Sequence, residues 1–148
     1  MIENELTFYE YMMMVSPFKS GKPASYATAV RIMDEIFKQD DVFGLAGESL
    51  CDIEDVGLLM KIRDFVKVEE KKKRQGKSSI FDYGKSNQTS YPCKAFCSAS
   101  ILSLIDFARY KSEMAAVDAI VSKQREAKKI SSLLISHFDL TKEGTDEE

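Results

Sequence analysis

Apolar side chains that recur every three or four residues most strongly constrain how this chain folds. Such spacing places them on one face of a helix, whereas a half-buried strand needs strict alternation of apolar and polar residues. Alternation never persists for more than a few positions in this sequence. The sequence therefore predicts an all-α protein, a compact bundle of about five helices with a long polar loop near residues 75–94.

The predicted helices fall into two parts of unequal size. They span about residues 3–15, 23–38, 54–73, 95–111 and 113–138. Residues 1–111 are predicted to form the helical bundle domain. Residues 112–148 are predicted to form a C-terminal helix with an acidic tail, packed on the bundle or on a partner. The apolar stripe of residues 113–138 could pack either on the bundle or on another chain. A second copy of the chain or a partner protein is therefore a predicted alternative to packing on the bundle.

Length and composition bound the class of protein. A chain of 148 residues with 44% apolar residues is long enough to bury a substantial core. No apolar run approaches the roughly 20 residues that a membrane helix needs, and the N-terminal sequence MIENELTFYE is acidic, unlike a signal peptide. Three cysteines are too few for a disulfide framework. We therefore expect a cytoplasmic protein with no membrane contact.

The net charge of −3 hides a strong segregation of charge along the chain. Residues 1–60 carry 4 Lys or Arg and 11 Asp or Glu, which gives −7; residues 61–94 carry 10 and 4, which gives +6; residues 95–148 carry 7 and 9, which gives −2. The basic block consists of Lys67, Lys71, Lys72, Lys73, Arg74, Lys77, Lys85 and Lys94. It is either a solvated helix end, where cations interact favourably with the helix dipole, or a surface that binds phosphates.

No pattern in the sequence indicates an enzyme, a metal site or a cofactor. Cys93 and Cys97 form one close pair and His137 lies far from them, whereas a structural zinc site needs four ligands, usually in two pairs. Glu69 and Lys71 have the Glu-x-Lys spacing of metal-dependent nucleases, but they lie on a predicted helix and not on a strand. A glycine-rich phosphate loop is absent from the sequence. We expect no catalytic residue, no metal and no cofactor.

The predicted polar loop mixes cations with aromatic side chains. Its cations are Lys77, Lys85 and Lys94, and its aromatic residues are Phe81, Tyr83 and Tyr91. Cations and hydroxyl groups contact phosphates in protein–DNA complexes, and aromatic rings stack on bases where the strand is open. A polar loop of this length is uncommon inside a compact domain and is usually functional or mobile. This composition favours nucleic-acid contact without specifying a sequence.

Three segments carry a resemblance to a known family. They are SYATAV at 25–30, SLCDIEDV at 49–56 and CSASILSLIDF at 97–107. In this order they resemble the helical N-terminal domain of HNH-type bacterial restriction endonucleases, which is similar to the core-binding domain of tyrosine recombinases. Cys51 stands where that family usually has an aromatic residue, and the sequence lacks the family's zinc-and-histidine nuclease module.

The resemblance implies a helical module that clasps DNA and does not cleave it. It implies that Tyr26, Lys85, Ser90, Tyr91 and Lys94 lie near the DNA-facing side. Together with the basic block, it predicts a non-catalytic DNA-binding module of restriction or defence type. The predicted phosphate contacts are Lys71, Lys72, Lys73, Arg74, Lys77, Lys85 and Lys94. The alternative is a protein-interaction or oligomerisation module, an adaptor or inhibitor with no nucleic-acid contact.

Overall fold

A computed structural model of the chain describes residues 5–82 and 90–146. The described residues form helices, 3₁₀ turns and connecting segments, and none of them lies in a strand. The helices are α1 (Phe8–Val15), α2 (Lys22–Gln39), α3 (Val56–Arg74), α4 (Ser90–Cys93) and α5 (Phe96–Asp146), and 3₁₀ turns occur at Leu50–Asp52 and Ile80–Asp82. The all-α prediction is confirmed.

The number of helices differs slightly from the prediction. Four helices in the described part of the chain have eight or more residues, and α4 is a single turn. The two helices predicted over 95–111 and 113–138 are one continuous helix of 51 residues. The predicted break is wrong because the sequence around Ser112 contains neither proline nor glycine, so the helical hydrogen bonds continue. Residues 83–89 of the predicted polar loop lie outside the described residues.

Aromatic rings join α1 to the first part of α5. The ring centroid of Phe107 in α5 lies 5.7 Å from that of Phe8 and 5.2 Å from that of Tyr11. From α3, Leu59 and Ile62 are fully buried in the same apolar cluster. The core therefore brings together three elements that are distant in the sequence.

Side chains cap the N-terminal ends of α1 and α3. The Thr7 hydroxyl accepts a hydrogen bond from the amide of Glu10 at 3.1 Å, and the Glu10 carboxylate accepts one from the amide of Thr7 at 3.0 Å. This reciprocal pair is a capping box. Asp55 accepts a hydrogen bond from the amide of Leu58 at 3.2 Å and so caps α3. One residue of the SLCDIEDV segment therefore has a structural role.

Asp34 of α2 holds the connector between α2 and α3. Its carboxylate oxygens accept hydrogen bonds from the hydroxyl of Ser49 at 2.7 Å and from the backbone amide of Leu50 at 2.9 Å. The Ser49 hydroxyl in turn accepts one from the amide of Cys51 at 3.2 Å. Leu50 is fully buried. The first half of the SLCDIEDV segment is therefore anchored by a carboxylate from another helix.

Replacing Asp34 with alanine should lower the free energy of unfolding by about 1–3 kcal/mol, because the Leu50 amide and the Ser49 hydroxyl lose their acceptor. Chemical denaturation followed by circular dichroism measures the change. Glu35→Ala is the matched control, since Glu35 is exposed on the same helix and its loss should change stability by less than about 0.5 kcal/mol. Equal effects of the two substitutions would contradict the anchoring role of Asp34.

The chain divides into two compact units, Met1–Tyr110 and Lys111–Glu148. The first unit contains the apolar cluster and both 3₁₀ turns. The second unit is helical through Asp146. Among the described helices, none is long and apolar enough to cross a membrane.

Candidate nucleic-acid interface

Helix α3 carries most of the predicted cations, and its geometry divides them between different sides. One side is buried in the core through Leu59, Ile62 and Val66. The opposite side is exposed and includes Lys61, Asp64, Lys67, Val68, Lys71 and Arg74, which we call the α3 face. Four cations and one carboxylate give this face a formal charge of +3. The face extends about 20 Å along the helix, at about 1.5 Å per residue.

Three of the four cations of the α3 face have no ion-pair partner in the described part of the protein. No acidic side chain among residues 5–82 and 90–146 forms an ion pair with Lys61, Lys67 or Lys71. The Arg74 guanidinium donates a hydrogen bond to the carbonyl of Pro92 at 3.5 Å. This contact places the end of α3 beside the segment that carries Lys94.

Two further cations extend this positive region beyond the end of α3. The backbone amide of Lys77 donates to the carbonyl of Lys72 at 2.9 Å, so Lys77 directly follows the last helical turn. Lys94 lies two residues after Pro92, which Arg74 contacts. The side chains of Lys77 and Lys94 are both exposed. The structure therefore brings these predicted site residues to the same end of α3.

Lys72 and Lys73 have a different environment from the α3 face. Lys72 Nζ lies 2.8 Å from Glu69 Oε2, and Lys73 Nζ lies 2.6 Å from Asp82 Oδ1. The hydrogen bond from Lys73 is the largest cause that lowers the pKa of Asp82. These two cations are therefore partly neutralised by carboxylates of the same chain.

Residues 78–82, which we call the 78–82 clip, fold back onto α3. The hydroxyl of Ser79 donates to the backbone carbonyl of Glu69 at 2.9 Å, and Glu69 Oε1 accepts from the amide of Ile80 at 2.8 Å. The amide of Ser79 donates to Asp82 Oδ2 at 2.9 Å. The clip is therefore a packed element and not a solvated part of the predicted loop.

Glu70 joins α3 to the beginning of α5. It is 1% exposed, and its Oε2 accepts a hydrogen bond from the backbone amide of Ser98 at 3.1 Å. The amide of Cys97 also donates to this carboxylate. Burial raises the pKa of Glu70, and the hydrogen bonds from Ser98 and Cys97 and the charge of Arg74 partly offset that effect. Because the first amides of a helix have no partner within it, Glu70 serves as a cap for α5 supplied by another helix.

The adjacent carboxylates Glu69 and Glu70 have partners on different sides of α3. Glu69 binds Lys72 and the 78–82 clip, whereas Glu70 binds the first turn of α5. Among the described residues, no group of three or more His, Cys, Asp or Glu side chains is placed to hold a metal ion. Both carboxylates of the Glu-x-Lys segment therefore have structural partners within the chain.

A cleft of about 410 Å³ lies beside the 78–82 clip. It is lined by Asp40, Val42, Phe65, Glu69, Lys72, Ser78, Ser79 and Ile80. The Glu69 carboxylate in this cleft already accepts hydrogen bonds from Lys72 and Ile80. The cleft thus presents a carboxylate that is held in place by two hydrogen bonds from the same chain.

Two of the three aromatic residues of the predicted loop, Phe81 and Tyr91, lie in or beside the core. Phe81 is 1% exposed, so its ring is not accessible to a base. Tyr91 is half-buried, and its ring centroid lies 5.5 Å from that of Phe96, which lies 6.4 Å from that of Tyr26. The structure therefore brings Tyr26 and Tyr91 into one aromatic row. Tyr83 lies outside the described residues.

The remaining predicted site residues are placed only in part. Lys85 lies outside the described residues, and Ser90 begins α4 with its backbone alone described. Sequence reasoning missed Lys61, which the structure adds to the α3 face. Lys61 lies ten residues before Lys71, which is nearly three helical turns. This spacing could have placed Lys61 on the same side of the helix from the sequence alone.

Comparison of the chain with protein-family models, with curated proteins and with solved structures found no significant match.

Proposed function

We propose that this chain is a non-catalytic DNA-binding module of restriction or defence type, which holds duplex DNA by its phosphates. The observation that carries the proposal is the α3 face, where four exposed cations and one carboxylate lie along one side of a helix. Exposed Lys and Arg side chains bind phosphates by releasing counterions from the DNA, whatever the net charge of the protein. The three resembling segments, at 25–30, 49–56 and 97–107, support the same class of function.

The environments of the individual cations decide their roles. Lys61, Lys67, Lys71 and Arg74 are the primary phosphate contacts, and Lys77 and Lys94 are secondary contacts beyond the end of α3. Lys72 pairs with Glu69 of the same helix and Lys73 with Asp82 of the 78–82 clip, so both contribute less to DNA binding. Lys85, Ser90 and Tyr91 belong to the proposal through the resemblance.

Four phosphate contacts predict a measurable dependence on salt. Each contact contributes about −0.9 to the slope of log K against log salt, so four contacts weaken binding about 100-fold between about 50 and 200 mM salt. Fluorescence anisotropy with a labelled duplex measures this slope. Binding that is independent of salt, or no binding by the folded protein at low salt, would overturn the proposal and favour a protein-interaction module.

Changing Lys67 and Lys71 together to glutamate should weaken DNA binding about 100-fold at low salt, because two contacts are lost and two repulsive charges are added. The matched control is Lys19→Glu with Lys38→Glu, two exposed lysines outside the α3 face. Both double variants change the net charge from −3 to −7, and circular dichroism verifies that both fold. We expect the control to bind within about threefold of the original chain, since it removes no phosphate contact.

If the two double variants lost DNA affinity equally, only the net charge would matter. That result would contradict the proposed role of the α3 face. This pair of variants also avoids Lys72 and Lys73. Reversing those two charges would break their ion pairs with Glu69 and Asp82, so a loss of binding there would mix a change in the 78–82 clip with a change in DNA contact.

A further inference from the structure

The second unit of the chain exposes a series of aliphatic side chains. Within residues 111–135, six large apolar residues are 46–64% exposed: Val117, Ile120, Ile130, Leu133, Leu134 and Ile135. A single helix is only marginally stable in water, and most helices in proteins gain their stability by burying an apolar side against another element. The exposed series is therefore a surface that another apolar element can cover.

Between residues 120 and 134, four apolar positions have the spacing of a coiled-coil seam, and after Leu134 the same register falls on His137 and Thr141. Ile120, Ala127 and Leu134 are seven residues apart, and Ile130 lies three residues after Ala127 and four before Leu134. A seven-residue repeat with steps of three and four is the pattern of the inner positions of paired helices. Lys123 falls in the same register, and a polar residue at an inner position restricts which alignments are stable.

The charges on either side of this seam differ in sign. Residues 123–129 carry four Lys or Arg and one Glu, which gives +3. Residues 139–146, the last turns of α5, carry three Asp or Glu and one Lys in the sequence, which gives −2. The aliphatic residues Ile130, Leu133, Leu134 and Ile135 lie between these two segments.

This order of charges distinguishes the two ways of pairing identical helices. A parallel pair in register would place the basic segment of one copy beside the basic segment of the other, and like charges at such positions are destabilising. An antiparallel pair centred near Leu134 would instead place residues 123–129 beside residues 139–146 of the other copy. Opposite charges would then meet at both ends of the aliphatic centre.

We propose that residues 122–146 of α5 form an antiparallel coiled coil with the same residues of a second copy, centred near Leu134. The occupant of the exposed aliphatic centre, Ile130, Leu133, Leu134 and Ile135, is thus another copy of this chain. The proposal uses neither the α3 face nor DNA, so it stands or fails separately from the proposed DNA binding.

The association is tested on the full chain by sedimentation equilibrium over a range of concentrations. We expect a species of twice 16.7 kDa for the unaltered protein, and a shift to monomer for Ile130→Ser with Leu134→Ser. The matched control is Met60→Ser with Val68→Ser, which removes two exposed apolar residues from α3 and should leave the dimer intact. A monomer at all concentrations, or a dimer unaffected by the α5 substitutions, would overturn the proposal.

Disulfide cross-linking tests the orientation. In a background with Cys51 and Cys93 changed to serine, Leu134→Cys should cross-link two copies because it lies at the centre. Ile120→Cys should not, since 14 residues on each side of the centre separate the two thiols by about 40 Å in an antiparallel pair, at about 1.5 Å per residue. Efficient cross-linking through Ile120→Cys would show a parallel pair and would overturn the proposed orientation.

Discussion

Replacing Phe81 with alanine is expected to lower the free energy of unfolding by about 3–5 kcal/mol, the usual range for truncating a fully buried phenylalanine. Phe81 is 1% exposed and belongs to the apolar cluster, although it lies in a segment of polar composition. The truncation removes the ring that fixes the 78–82 clip in the core and leaves a cavity in its place. Urea denaturation followed by circular dichroism measures the loss.

The matched control for this substitution is Phe18→Ala. Phe18 is the same residue type but is 92% exposed, so its truncation should change the free energy of unfolding by less than about 0.5 kcal/mol. If both variants were equally stable, the ring of Phe81 would not be part of the core. The comparison therefore separates burial from any general effect of removing an aromatic residue.

Phe81 also shows why part of the fold is not predictable from sequence patterns. On α3, Leu59 and Ile62 follow helical spacing, and that periodicity alone predicts which side of the helix they occupy. The sequence SSIFD at 78–82 has no such period. Its burial depends on hydrogen bonds from Ser79 and Ile80 to Glu69, ten and eleven residues away, and local patterns do not reveal such contacts.

The candidate site was predictable at the level of a charged block but not of individual residues. Lys71, Lys72 and Lys73 are adjacent and identical in type, yet successive residues of a helix point about 100° apart. Lys71 therefore lies on the α3 face, whereas Lys72 and Lys73 reach Glu69 and Asp82. Sequence composition counts all three as equal, and only the positions of the carboxylates separate them.

The helix count illustrates a different limit. The sequence predicts a break near Ser112, where polar residues interrupt the apolar stripe, but such an interruption does not end a helix. Proline and glycine are the common signals that end a helix, the sequence around Ser112 contains neither, and α5 continues through this position. A single helix that packs against different elements along its length can show an interrupted apolar stripe. Two successive helices can show the same interruption.

Glu70→Ala is expected to lower the free energy of unfolding by about 2–4 kcal/mol, because the buried amides of Ser98 and Cys97 lose their acceptor and each such loss costs roughly 1–3 kcal/mol. Denaturation followed by circular dichroism measures the change. Asp64→Ala removes an exposed carboxylate from the same helix and should change stability by less than about 0.5 kcal/mol. Similar stabilities of these two variants would contradict the capping role of Glu70.

Glu70→Gln separates the hydrogen bonds of this carboxyl group from its charge. Glutamine keeps an acceptor oxygen, so the variant should avoid most of the loss seen with alanine. Burial raises the pKa of Glu70, which means that the folded chain binds this proton more tightly than the unfolded chain does. The stability from this group is therefore full below the unfolded pKa of about 4.3 and is lost as the pH rises through the folded pKa.

The free energy of unfolding of Glu70→Gln minus that of the original chain should therefore increase from about pH 4 to about pH 7. Subtracting the two curves cancels the contribution of Asp34, whose pKa is also raised by burial, because that group is present in both proteins. A difference that is constant with pH would show that Glu70 ionises in the folded chain as it does in the unfolded one. A difference that falls as the pH rises would show that Arg74 and the α5 amides outweigh the burial, so that the charge itself stabilises the junction of α3 and α5.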